Sequence, residues 1–281
     1  MMTATIHEKE IFCLVPKLNM NQALAKAGSL MISSFGLEGR LCRLRAEDIT
    51  VMNNELYYEP FWQIDCDVKY KYDRICSHDV TDIDSEVKSL TINDNDYLVV
   101  ESKPRKFTIS GTEHCITSGR RDAIFDAERE KEQDWKKYID YQKEIVTDDS
   151  SFINKDGIFL PPKMSVNTLV NKVFLSLPWP VKADIVHEGT LNINKLNLYF
   201  RPVYIFEYRW DRKNKTSVAS LDGITGKGIS NGVTFHDKIK RVITRDLLFE
   251  ISAEAANLII PGSSIAFKII KEYNDDENEN K

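Results

Sequence analysis

An internal repeat is the feature of this sequence that most constrains its fold. An apolar stretch that ends in Pro-Lys occurs at residues 11–17 (IFCLVPK) and again at 158–163 (IFLPPK), with the two Pro-Lys pairs 146 positions apart. An aromatic segment around Pro60 recurs around Pro202, 142 positions later. Two landmarks in the same order and at nearly equal spacing predict a duplicated unit.

Each copy has the pattern of a strand, a helix and then antiparallel strands. Asn19 and Ser165 are suited to be helix N-caps, because their side chains can accept hydrogen bonds from free first-turn amides. In the second copy we expect the helix over 166–177, ending before Pro178, since proline cannot continue a helix. The aromatic-rich segment 201–210 predicts a packed strand followed by a hairpin.

The pattern therefore predicts an α+β protein of two duplicated modules, each a helix packed on an antiparallel sheet. The first module covers 1–118, and the second covers 152–273 with a C-terminal extension. Residues 119–151 are expected to form a charged connecting helix and a hinge, because apolar residues recur there at helical spacing. The acidic tail 274–281 is expected to be disordered.

Composition narrows the class of protein. The chain has 281 residues, 29% of them charged, and a net charge of −5, which excludes a globally basic nucleic-acid binder. The N-terminus lacks the basic region and apolar run of a signal peptide, and no apolar stretch reaches the roughly 20 residues of a membrane span. Five cysteines without a CxxC pair indicate free thiols. We expect a cytoplasmic protein without membrane insertion.

The end of the second copy resembles a known family. The strand RPVYIFEYRW (201–210) leads through a return strand into LDGITGKG (221–228). That ending resembles the turn VDAxTGKV of PepSY-type modules in the cystatin-like class. The resemblance covers roughly 165–229, and the first copy lacks the Asp-Gly/Thr-Gly ending. It implies a helix on an antiparallel sheet and a role in binding or regulation rather than catalysis.

One short motif is the residue set of a nuclease. Glu101 and Lys103 follow an apolar strand, and the restriction-endonuclease-like nucleases combine Glu-x-Lys with an upstream acid. There the acids hold Mg²⁺ through oxygen, and the lysine polarises water and phosphate. The favoured interpretation is a solvent-facing Glu and Lys on an edge strand, so a metal-dependent nuclease is the alternative function. The upstream acids are Asp82, Asp84, Asp94 and Asp96.

Cysteines and histidines are a second possible source of chemistry. Cys76 and His78 lie two apart and would point to the same face of a strand, as metal ligands do. The spacing matches no zinc finger, so we expect no metal and no cofactor. Whether the wider set converges stays open at this point: Cys66, Cys76, His78, His114 and Cys115.

The leading prediction of function is based on the two aromatic-rich strands. They carry more rings than one packed face needs, and an uncovered second face would be a binding surface. We therefore expect a non-enzymatic adaptor or regulatory subunit that binds a protein partner within a larger assembly. Nucleic acid is not favoured, because acids accompany the basic residues of 238–245. The expected partner-binding residues are Tyr58, Trp62, Tyr204 and Trp210.

Overall fold

The computed structural model describes residues 2–147, 156–178, 182–229 and 267–270. Within these ranges the strands form one eleven-stranded mixed sheet and one two-stranded sheet. The predicted hinge residues 148–151 and the tail 274–281 lie outside them. The strands are β1 (Met2–Glu8), β2 (Ile11–Leu14), β3 (Ile49–Val80), β4 (Ser89–Ile92), β5 (Asn95–Leu98), β6 (Phe107–Asp126), β7 (Lys131–Glu132), β8 (Lys143–Ile145), β9 (Ile158–Phe159), β10 (Ile185–Trp210), β11 (Lys215–Asp222), β12 (Gly228–Ile229) and β13 (Phe267–Ile270). The helices are α1 (Met20–Ser34), α2 (Gly36–Leu41), α3 (Lys136–Ile139) and α4 (Val166–Phe174).

Two very long strands form the centre of the large sheet, whose main order is β12-β11-β10-β3-β6-β7. Strand β3 has 32 residues and β10 has 26, against about 5–6 in an average strand. They run antiparallel from Ile49 opposite Trp210 to Asp73 opposite Ile185. The short strands β1 and β2 pair in parallel with β10, and β9 pairs in parallel with β3. At 3.3 Å per residue, β3 is roughly 100 Å of chain.

The predicted division into two helix-on-sheet modules is wrong. The long strands of the two halves pair with each other, so both halves share one sheet, and strands make up 53% of the described residues. The prediction of a charged connecting helix over 119–151 is also wrong, because residues up to Asp126 belong to strand β6. Within the described part of 119–151, the α-helix is limited to Lys136–Ile139. Pairing with β3 buries the apolar end of β6, which overrides the helical spacing of its sequence.

The predicted N-caps are confirmed. The Asn19 side chain accepts a hydrogen bond from the Gln22 backbone amide (2.9 Å), and the Gln22 side chain accepts one from the Asn19 backbone amide (3.0 Å). Ser165 accepts from the amide of Thr168 (3.2 Å). Helix α4 begins at Val166 as expected and ends at Phe174, three residues earlier than the prediction. Each cap leaves its helix with one fewer unpaired first-turn amide.

The aromatic strands make corresponding contacts with the segments before the two longer helices. The Trp62 indole N–H donates to the Met164 carbonyl (2.9 Å), and the Tyr204 hydroxyl donates to the Leu18 carbonyl. The two donors are 142 positions apart and the two acceptors 146, the same offsets as in the landmarks. The internal repeat itself stays a prediction.

A turn that the sequence shows only in the second half occurs in both. The Asp222 carboxylate accepts from the amides two and three residues later (3.0 and 2.7 Å), and Asp126 does the same (2.9 and 3.0 Å). Gly226 ends one turn at φ 70°, whereas Glu130 occupies that place in the other at φ 54°. The aspartate therefore organises the turn without the glycines, and Glu130 carries the cost of about 1–2 kcal/mol for a left-handed residue.

No helix in the described ranges has both the length and the apolar character that a membrane span requires.

Candidate functional site

Strands β3 and β6 extend beyond the rest of the large sheet. Strand β10 pairs with β3 only as far as Asp73, whereas β3 and β6 stay paired up to Val80 opposite Phe107. Residues 73–80 and 107–114 therefore form a two-stranded segment, which we call the distal ribbon. Most of its side chains are exposed or only half-buried, because beyond Asp73 no third strand flanks it within the described residues.

One face of the distal ribbon carries a sulfur, a nitrogen and a carboxylate donor close together. Cys76 Sγ lies 3.1 Å from His78 Nε2, and His78 Nε2 lies 2.9 Å from Glu113 Oε1. The three donor atoms all lie within 4.8 Å of one another, and we call Cys76, His78 and Glu113 the three-donor group. Cys76 and His78 share a face because side chains two apart on a strand point the same way. Glu113 reaches them from the neighbouring strand, two residues from Gly111, the partner of Cys76.

The electrostatics of this face depend on Glu113. Its hydrogen bonds with Cys76 and with Arg74 (Nε to Oε2, 2.7 Å) lower its pKa. The same carboxylate raises the pKa of Cys76, because it accepts a hydrogen bond from the protonated thiol. Arg74 binds Oε2 while His78 binds Oε1, so the carboxylate is held in one orientation by partners on both oxygens.

The opposite face carries one aspartate between two histidines. Asp73 Oδ1 lies 2.7 Å from His114 Nδ1, and its Oδ2 lies 2.8 Å from His187 Nε2. The hydrogen bond with His114, followed by the one with His187, lowers the pKa of Asp73. Neighbouring positions along β3, β6 and β10 hold isoleucines that are 70%, 67% and 57% exposed: Ile75, Ile116 and Ile185. This face therefore combines titratable groups with exposed apolar side chains.

Strand β6 has a long free edge. One edge of β6 pairs with β3, and on the other edge β7 pairs only with Phe125 and Asp126. From 107 to 123 that edge has no strand partner within the described ranges. Backbone amides and carbonyls along a free edge are available to another extended chain.

No family model, curated protein or solved structure matches this chain. The function has to be inferred from the geometry of these residues.

The cysteines and histidines singled out in the sequence converge only in part. Cys76 and His78 come together, and His114 lies on the opposite face. Cys66 is buried in the core, where burial raises its pKa to about 12. Cys115 directs its sulfur towards the backbone carbonyl of Glu113 (3.8 Å) and is outside the three-donor group. The third donor, Glu113, was not among the expected ligands, because only the pairing of β6 with β3 brings it there.

The four expected partner-binding aromatics lie in the core. Tyr58, Trp62, Tyr204 and Trp210 are 4%, 0%, 3% and 4% exposed. Trp62 lies in the cluster with α4, and Tyr204 and Trp210 lie in the cluster with α1. None of the four side chains offers a surface to a partner in this structure.

The expected nuclease residues, Glu101 and Lys103, lie at the surface. Glu101 is exposed and accepts a hydrogen bond from Lys88 (2.6 Å), which, together with Arg105, lowers its pKa. Within the described residues Glu101 belongs to no group of three potential ligands, and Lys103 is exposed. The local geometry is that of a surface ion pair.

Proposed function

We propose that this protein is a non-enzymatic adaptor or regulatory subunit of the cytoplasm, and that its protein partner adds an extended segment to the free edge of β6. The observation that carries the proposal is the β6 edge over 107–123, which has no strand partner in the part of the chain that the structure describes. Addition of a strand to an exposed edge is a recurring mode of peptide recognition, in which main-chain hydrogen bonds supply affinity.

The side chains on this edge support an apolar partner segment. Ile116 lies within the free edge, and Ile75 lies on the same face of the adjacent strand. Both side chains are about two-thirds exposed. Burying an Ile side chain completely contributes about 1.5–3 kcal/mol, and these two side chains would gain part of that free energy when a partner covers them. A partner strand with apolar residues at alternate positions would cover them. Pockets for alternate side chains provide specificity in this mode of binding.

Two further observations support this class of function. All five cysteines are free thiols, in keeping with a reducing compartment. The resemblance of 165–229 to PepSY-type modules implies binding or regulation rather than catalysis. Neither observation identifies the partner, so the test has to locate the contact on β6.

The test combines purification with hydrogen exchange. A stoichiometric partner recovered with tagged protein is expected to slow amide exchange over 107–123. Ile116→Lys places a charge on the edge, a natural device against strand pairing, and should abolish binding without unfolding the chain, because this side chain is exposed. Leu41→Lys is the matched control, since Leu41 is 82% exposed on α2, and it should bind normally.

Two outcomes would contradict the proposed contact on β6. One is protection that falls outside 107–123 when the partner is bound. The other is equal binding of the Ile116→Lys and Leu41→Lys variants. A chain that is recovered without any stoichiometric partner would also contradict the adaptor function.

A further inference from the structure

Three different donor atoms meet on the exposed face of the distal ribbon. A cysteine sulfur, an imidazole nitrogen and a carboxylate oxygen all lie within 4.8 Å of one another. Each of these donors is a common zinc ligand, and the combination suits an ion of borderline softness. Side-chain exposure of 60% at His78 and 27% at Glu113 leaves a path from solvent.

The position opposite Cys76 carries no side chain. The residue opposite Cys76 on β6 is Gly111, and a Cβ built there would meet no atom within 4 Å. A longer side chain at that place would stand beside Cys76 on the face where the three donors meet. Gly111 leaves this place open, so no side chain from the position opposite Cys76 competes with an ion for the three donors.

We propose that Cys76, His78 and Glu113 bind one Zn²⁺ ion, with water at the fourth position. With Zn–S near 2.3 Å and Zn–N and Zn–O near 2.0–2.2 Å, tetrahedral ligand atoms lie roughly 3.4–3.6 Å apart. The present separations of 3.1 Å and 2.9 Å therefore have to increase by only about half an ångström. On binding, the Cys76 thiol releases its proton to solvent, His78 binds as the neutral imidazole and Glu113 binds as the carboxylate.

Arg74 is the residue that positions the carboxylate. It donates to Glu113 Oε2 and leaves Oε1 to face His78 and the ion. Ligating carboxylates are usually held by such a partner, whose loss lowers metal affinity by about 10–100-fold. Because Cys76 and His78 are on β3 and Glu113 is on β6, the ion would tie the two strands of the ribbon together.

Cobalt(II) is the probe for this site, because a cobalt–thiolate bond gives a charge-transfer absorption band. The wild-type chain, in reducing buffer, is expected to bind one equivalent of Co²⁺ with that band, and Zn²⁺ should displace the cobalt. Cys76→Ser should lose the band. Cys115→Ser, which changes a cysteine on the same face outside the donor group, should keep it.

Glu113→Gln provides a second test that leaves every cysteine in place. We expect at least tenfold weaker cobalt binding, and hydrogen exchange over 107–114 should no longer slow when metal is added. The proposal is overturned if the wild-type chain binds no cobalt, if the band survives Cys76→Ser, or if Glu113→Gln binds as tightly as wild type.

Discussion

Arg201 on β10 and Glu59 on β3 form a buried ion pair between the two central strands. Replacing Arg201 with leucine tests how strongly the stability of the sheet depends on the intact pair. Both side chains are 4% exposed, and Arg201 Nη2 lies 2.6 Å from Glu59 Oε2. The Arg201 guanidinium also stacks on the Trp135 ring at 4.1 Å. Oε1 of Glu59 has no hydrogen-bond partner within the described residues. Removing Arg201 would therefore leave a buried carboxylate without its charged partner.

The expected loss follows from that isolated charge. Removing one partner of a buried ion pair lowers the free energy of unfolding by about 3–5 kcal/mol. In a chain of this size that corresponds to a fall in Tm of roughly 5–8 °C. Asp222 adds little to the loss, although it lies 3.7 Å from Arg201, because it also accepts from the Tyr138 hydroxyl and two backbone amides.

Urea denaturation of a double-mutant cycle measures the effect. Arg201→Leu and Glu59→Leu should each destabilise the chain, and the double variant should lose less than the sum, because it leaves neither charge of the pair unpaired. Arg209→Leu is the control on the same strand. Arg209 pairs with Asp211 at the surface, where such a pair contributes about 1 kcal/mol or less.

Two results would refute this reasoning. If Arg201→Leu cost no more than Arg209→Leu, the buried pair would not stabilise the sheet. If the two single losses simply added in the double variant, Glu59 and Arg201 would not be energetically coupled despite their contact.

Two further predictions concern ionisable side chains. Burial raises the pKa of Cys66 to about 12, so a thiol-alkylating reagent at neutral pH should modify exposed Cys42 and leave Cys66 unmodified. Peptide mass spectrometry measures the modification of each cysteine, and equal modification of the two would contradict the burial of Cys66. Hydrogen bonds with His114 and, after it, His187 lower the folded-state pKa of Asp73. The stability that ionised Asp73 contributes is therefore present above its unfolded-state pKa and is lost as pH falls through its folded-state pKa. A carboxyl NMR titration should therefore give a midpoint below 3.8 that rises in His114→Gln, and an unchanged midpoint would exclude the hydrogen bond as its cause.

Local structure was largely predictable from the sequence. The caps at Asn19 and Ser165 and the start of α4 depend on residues within one turn. The hairpin from 201 to 222 likewise depends on adjacent aromatic and turn residues, and it forms as β10 and β11 joined at Asp211–Lys213. In each case the groups that decide the structure are close in sequence, so their pattern is sufficient.

The arrangement of the sheet was not predictable in the same way. Apolar spacing shows that Ile124 and Phe125 are buried, but not which element buries them. A helix and a strand paired with β3 both satisfy that requirement, and the structure has the strand. The pairing of β3 with β10 joins residues more than 100 positions apart, so it depends on the whole chain rather than on either segment.

The three-donor group shows how strongly the candidate site depends on strand register. The spacing of Cys76 and His78 predicts a shared face, but a residue on β6 can join them only if pairing turns its side chain the same way. Glu113 does so because it lies opposite Arg74. A slip of one residue would turn Glu113 to the other face and bring His114 into its place. The sequence could therefore identify two of the three donors, and only the pairing of β3 with β6 selects the carboxylate over the neighbouring histidine.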